Sequence, residues 1–130
     1  MSLEKVKQYF TSLGLENNVL EFSQSSATVE LAAKALGCEE ARIAKTLSFM
    51  IDEKPVLIVT AGDVKIDNAK YKSTFHVKAK MLKFEEVEPL TGHAVGGVCP
   101  FAVNEGVKVY LDESLKRFKT VFPACGRANS

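Results

Sequence analysis

Apolar and polar positions recur along this chain in two rhythms, and the change between them separates its helices from its strands. Leu3, Val6, Phe10 and Leu13 repeat at helical spacing and stop at Gly14, which predicts an amphipathic N-terminal helix. Val19-Leu20-Glu21-Phe22 reads as a short strand. Ser25, Ser26 and Thr28 offer N-caps to a second helix carrying Val29, Ala32, Ala33 and Leu36 and closed by Gly37, with one more turn at Glu39-Glu40-Ala41. From Ala44 to Asp52 the period becomes two. Lys45, Leu47, Phe49 and Ile51 fall on one face, and Thr46, Ser48, Met50 and Asp52 on the other.

Asp52-Glu53-Lys54-Pro55 reads as a hairpin turn, and Val56-Leu57-Ile58-Val59 as a strand covered on both faces, broken by Ala61-Gly62-Asp63. A short helix is predicted from Asp67 to Ser73, and another from the spacing of Phe84, Val87 and Leu90, its limits left open by Pro89. Val107, Val109 and Leu111 alternate as a strand, Asp112 caps a brief helix ending near Phe118, and Lys119 to Phe122 returns as a strand. Strands mixed with short helices, without regular βαβ spacing, give an α+β fold class.

At 130 residues the chain is one domain, 1–130, with 46% hydrophobic and 25% charged residues as in ordinary soluble proteins. No apolar run approaches the roughly 20 residues that span a bilayer. The N-terminus lacks the layout of a signal peptide, so a cytoplasmic location and no membrane partner are expected. Cys38, Cys99 and Cys125 are widely spaced, and with His76 and His93 they form no zinc-ligand pattern, so neither a disulfide framework nor a metal is expected. The net charge of +1 carries no signature of nucleic-acid binding. Its distribution adds something. Between Asp63 and Lys83 stand six lysines, Lys65, Lys70, Lys72, Lys78, Lys80 and Lys83, against Asp63 and Asp67. This basic middle can face phosphates, although a solvated lysine face is the simpler reading.

Two features carry candidate chemistry. Lys45 shares the apolar face of its strand, so its ammonium must be paired, reach a cavity or snorkel to water. Gly96-Gly97-Val98-Cys99-Pro100-Phe101 is a backbone-exposing turn whose N–H and C=O groups can meet a polar ligand, or a plain tight turn in which glycine relieves crowding. Cys99 invites a nucleophile reading but has no histidine or aspartate beside it in sequence, and most free cysteines are small buried hydrophobes. His93, three residues before the loop, can bond a substrate or satisfy a turn. The Thr60-Ala61-Gly62 strand end is the sort of place where sites gather.

Taken in order, Ala32-Ala33-Lys34-Ala35-Leu36-Gly37, Ile43-Ala44-Lys45-Thr46-Leu47, Pro55-Val56-Leu57-Ile58-Val59-Thr60-Ala61-Gly62 and Gly96-Gly97-Val98-Cys99-Pro100-Phe101 resemble one family. It is that of the YbaK-like aminoacyl-tRNA deacylases, which includes the editing domain inserted in bacterial prolyl-tRNA synthetases. The similarity runs from about Ser26 to Asn129. The resemblance implies a compact α+β domain on a curved mixed, largely antiparallel sheet flanked by short helices. It implies hydrolysis of the ester between a wrongly attached amino acid and the terminal adenosine of tRNA, without a cofactor or a metal. Lys45 matches the essential strand lysine, and Gly96 to Pro100 (Gly96, Gly97, Val98, Cys99, Pro100) matches the G-x-x-x-P loop. Thr46, Thr60, Gly62, His93 and Phe101 are the expected substrate contacts. Cys99 stands where serine or threonine is common, and Thr46 where relatives vary. The family usually continues past this chain, so Gly126 to Ser130 reads as the entrance to another strand and helix, and 1–130 as a domain shortened at its C-terminus.

The implied function is that of a free-standing trans-editing deacylase acting on small residues such as alanine, serine, cysteine or threonine, on tRNA-Pro or related tRNAs. Its partners are the tRNA 3′ acceptor end and an aminoacyl-tRNA synthetase. Apolar pockets discriminate single methyl groups poorly, which is why such editing exists. Two other readings stay open, a non-catalytic module binding a nucleotide, a tRNA end or a protein on the same fold, and a small-ester hydrolase using Cys99. Convergence of Lys45 and the glycine loop on one cleft separates the first reading from the module.

Overall fold

Nine residues of alternating character, Ile43–Ile51 (β1), fold back on eight, Lys54–Ala61 (β2), and this hairpin frames the rest. In the computed structural model, which describes residues 2–126 and 129–130, Asp52 and Glu53 make the two-residue connection with φ of 50° and 64°. Two left-handed residues give the turn whose twist matches that of the strands it joins. Val56 to Ala61 are all buried, as a continuous apolar run requires.

Four α-helices surround the hairpin. They are Ser2–Ser12 (α1), Val29–Leu36 (α2), Asn68–Phe75 (α3) and Phe84–Thr91 (α4). Thr28 caps α2 by accepting the Leu31 N–H at 3.1 Å, and Asp67 caps α3 by accepting from Ala69 and Lys70. Asp67 is therefore the cap and not the first helical residue. Two further strands, Lys108–Leu111 (β3) and Phe122–Pro123 (β4), complete a sheet of order β3-β2-β1-β4. The long β1–β2 ladder is antiparallel, and both outer strands run parallel to their neighbours, so the sheet is mixed and the fold α+β.

Two expectations need correction. Val19 to Phe22 is not a strand, because its partner is the chain end rather than a ladder. Phe22 exchanges its N–H and C=O with the carbonyl and side-chain amide of Asn129 at 2.8 and 3.0 Å. The strand expected at Lys119 to Phe122 is only Phe122–Pro123, where proline removes a ladder donor. Of the Gly126 to Ser130 segment, Arg127 and Ala128 lie outside the described residues.

The core has two parts. Phe49, Val56, Ile58 and Tyr71 form one cluster, closed by α3 and an aromatic series from Phe49 through Tyr71 and Phe75 to Tyr110. Leu3 and Val6 of α1 form the other with Cys99 and Cys125. Phe10 meets Phe101 edge-on at 4.8 Å, so α1 lies directly against the glycine-rich loop. No helix among the described residues is long and apolar enough to cross a membrane.

Candidate active site

The β1 edge facing away from β2 is only partly covered. β4 pairs with Ile43 and Ala44, and an extended segment at Lys80 to Leu82 bridges farther along, Met50 N–H donating to the Lys80 carbonyl and Leu82 N–H to the Ser48 carbonyl. Backbone groups alternate sides along the strand, so those of Thr46, like those of Ser48 and Met50, point away from β2. Thr46 thus sits in the gap between the two covering segments. Its Oγ1 is buried and has no partner among the described residues, the condition of a hydroxyl awaiting a ligand or water.

Lys45 precedes it. The Nζ donates to the Gly62 carbonyl at 3.5 Å, a long and weak contact. A Cβ on Gly62 would stand 2.2 Å from the Glu40 carbonyl oxygen, so glycine alone lets the end of β2 come this close to the turn before β1. Asp63 feels the Lys45 charge but is engaged by Arg117, whose two terminal nitrogens donate to it at 3.1 and 2.6 Å. The described residues contain two ion pairs, Lys7–Glu21 and Arg117–Asp63, and Lys45 belongs to neither. Its positive charge is available to a ligand.

The glycine-rich loop lines the same cavity as Lys45. Gly97 N–H bonds the Ala94 carbonyl at 3.0 Å and closes a turn whose third residue, Gly96, has φ of +93°, which favours glycine. The N–H groups of Gly96, Val98 and Cys99 find no acceptor among the described residues. Gly96, Val98 and Phe101 line the same cavity as Lys45 and Thr46, a space of about 860 Å³.

Behind the loop is a sealed polar pair. His93 is fully buried, and its Nε2 stands 2.6 Å from the Phe101 carbonyl oxygen. A carbonyl oxygen only accepts, so Nε2 carries the proton and donates it, leaving Nδ1 as the bare nitrogen, which has no partner among the described residues. Burial holds the His93 pKa below its ordinary value, partly opposed by the Phe101 hydrogen bond. Cys99 Sγ lies 3.5 Å from the protonated Nε2, and burial pushes the thiol up to about 12. The imidazole nitrogen nearest the thiol is already protonated and cannot take its proton.

Of the residues singled out in the sequence, Lys45, Thr46, Gly96, Val98 and Phe101 come together on the cavity. Gly97, Cys99, Pro100 and His93 form or back the loop without lining it, and Thr60, opposite Lys45 in the ladder, is 1% exposed and bonds the Ala61 carbonyl. Gly62 reaches the site through its carbonyl alone. Sequence reasoning missed the wall built by Phe10, Asn17, Asn18, Leu20 and Phe22, and the rim at Met81 and Phe84. The paired asparagines just after the first helix were the only local signal.

A profile of the aminoacyl-tRNA editing domain matches residues 23–130. The chain is 56% identical, over 131 aligned positions, to the uncharacterized protein YwhH of Bacillus subtilis (strain 168), spanning all of this chain and 83% of that protein. It is 29% identical over 108 residues to EbsC of Enterococcus faecalis (strain ATCC 700802 / V583), named as a candidate Cys-tRNA(Pro)/Cys-tRNA(Cys) deacylase, covering 82% of this chain and 66% of EbsC. The crystal structure of a candidate trans-editing enzyme for prolyl tRNA synthetase superposes with a TM-score of 0.87, at 31% identity, over 98% of this chain and 82% of that one.

Proposed function

This chain belongs to the aminoacyl-tRNA editing family, and on that premise we propose that it is a trans-editing deacylase, hydrolysing the ester of a small amino acid mischarged onto tRNA-Pro or a related tRNA. One observation carries the reading. An ammonium free of any carboxylate partner and a loop with unspent N–H groups line a single cavity.

The chemistry follows from what these groups do. Lys45 holds an anionic phosphate of the tRNA 3′ end and so fixes the terminal adenosine. The free N–H groups of Gly96 and Val98 take the ester carbonyl and stabilise the negative charge that develops on it; one such donor is worth roughly 100-fold or more in rate. The Thr46 hydroxyl faces the aminoacyl group. An aminoacyl ester is activated already, so a positioned water suffices as nucleophile. A cysteine nucleophile is disfavoured by the thiol at about 12 and by the proton on His93 Nε2.

The test is deacylation of a panel of mischarged tRNAs by the wild type and by Lys45→Ala. Turnover of at least one small-residue aminoacyl-tRNA, reduced roughly 100-fold or more in the variant, is the expected result. A folded wild type that leaves every ester intact, or a variant as active as the wild type, overturns the proposal and favours the binding module.

A further inference from the structure

The basic stretch in the middle of the sequence ends at the mouth of the cavity, beside the most exposed aromatic side chain of the core-forming elements. Phe84 opens α4 with 77% of its surface exposed, and Met81 just before it is 54% exposed. Both line the cavity rim, and Val95, 49% exposed, joins them from the loop side. Nothing among the described residues covers this apolar edge. It is held firmly all the same, because Lys80 and Leu82 are hydrogen-bonded to β1, the strand that carries Lys45.

The charge around the edge is segregated, with Lys78, Lys80 and Lys83 on the segment leading to Phe84 and Glu85, Glu86 and Glu88 on the helix that follows it. Lys78, Lys80 and Lys83 are exposed, and none belongs to an ion pair among the described residues. Glu86 is turned back to accept the Lys83 N–H at 2.8 Å, and Glu85 and Glu88 are exposed farther along α4. The two acids earlier in the stretch are also engaged, Asp63 by Arg117 and Asp67 by the start of α3.

An exposed ring set among unpaired lysines is the pairing that single-stranded nucleic acid requires, a face on which a base stacks and cations for its phosphates. We propose that the Met81 to Phe84 rim is the platform for the unpaired nucleotides immediately preceding the aminoacylated adenosine, one base stacking on Phe84 while Lys80 and Lys83 meet the flanking phosphates. This rests on the deacylase reading, and it explains how a chain with a net charge of +1 holds tRNA. The contact is confined to a short basic rim, so the rest of the surface has no need of excess positive charge.

The experiment compares hydrolysis of an aminoacyl-tRNA with that of the same amino acid esterified to adenosine alone, which lacks the upstream nucleotides. Phe84→Ala is expected to lower the preference for the tRNA substrate roughly tenfold or more. Phe84→Tyr restores it, Phe84→Leu does not, and melting temperatures stay at the wild-type value because the ring is exposed. Replacing Lys80 and Lys83 by glutamine makes the slope of log kcat/KM against log salt shallower by about 1.4, the value for two single-strand phosphate contacts. An unchanged preference in Phe84→Ala overturns the platform. So does rescue by leucine, or a defect seen only when a synthetase is added, which would assign the rim to a protein. Should the wild type hydrolyse neither substrate, the deacylase reading fails, and the platform is judged by binding of a labelled single-stranded oligoribonucleotide. Weaker binding by Phe84→Ala then upholds it and equal binding overturns it.

Discussion

The cluster around Phe49 and the cluster around Leu3 differ in where their residues come from. Phe49, Val56, Ile58 and Tyr71 lie within one short span of sequence, on the hairpin and the helix that follows it. Leu3, Val6, Cys99 and Cys125 come from three segments far apart in the chain, and what they enclose is the back of the glycine loop. The first cluster holds the sheet that presents Lys45. The second holds the loop that must stand opposite it, with Phe10 and Phe101 in edge contact as its outer boundary. Stability and site geometry are thus supported by different residues, a division that substitutions can test.

The largest effect is expected at Phe49, which is 2% exposed. Phe49→Ala removes a buried ring and should destabilise by about 3–5 kcal/mol in denaturant unfolding. At a temperature where the variant stays folded, kcat/KM should fall only a few-fold. Val6→Ala, at a fully buried position under the loop, should destabilise by about 1.5–3 kcal/mol. Its kcat/KM should nevertheless fall roughly tenfold, because small displacements of positioning groups are expensive in rate. If Phe49→Ala proves the more damaging to catalysis in the folded state, the division between the clusters is wrong.

A smaller effect separates the clusters by pH. His93 belongs to the loop side, and burial lowers its pKa from 6.5. The unfolded chain binds that proton more readily, so the stability gained by burying a neutral imidazole is complete above about pH 6.5 and is lost as the pH falls below it. Cys99 is silent here, its thiol protonated up to about 12. The Asp63 and Asp112 carboxyls are held below 3.8, Asp63 chiefly by its hydrogen bond from Arg117 and Asp112 by those from Ser114, so their contribution is lost only at still lower pH. Denaturant midpoints measured from pH 7.5 down to 5 should decline in the wild type. They should stay flat in His93→Gln, which keeps a donor for the Phe101 carbonyl and cannot titrate. A decline of equal size in the variant would place the titrating group elsewhere.

The same division explains what could be read in the sequence. The hairpin was legible because its period, its turn and its pairing are all local, and Lys45 stood out by breaking an apolar face. The loop was legible from two glycines and a proline in five positions. The cavity wall at Phe10, Asn17, Asn18, Leu20 and Phe22 was not, because those residues meet Lys45 and the loop only through the tertiary fold. Nor was the role of His93. Its spacing from the loop was visible, but whether it faced the ligand or the Phe101 carbonyl depended on the direction of one turn. Cys99 left a nucleophile reading open beside that of a small buried hydrophobe, and the structure turns its side chain inward.

The smallest expected effect on stability is also the sharpest test of where the substrate lies. Thr46 Oγ1 is buried without a partner, and its backbone groups lie in the uncovered gap of the β1 edge. Valine has nearly the same shape, so Thr46→Val exchanges an unsatisfied hydroxyl for a methyl and leaves the packing in place. Removing a buried group that has no partner is close to neutral or mildly stabilising, and the unfolding midpoint should stay at or slightly above that of the wild type. If the substrate is the partner the hydroxyl lacks, kcat/KM should nevertheless fall about three- to tenfold, the worth of one hydrogen bond. The loss should also differ among aminoacyl groups, being greatest for those with a polar atom to offer it. A variant that is both more stable and fully active on every aminoacyl-tRNA would move the aminoacyl group away from the β1 edge, toward the asparagines and phenylalanines of the N-terminal wall.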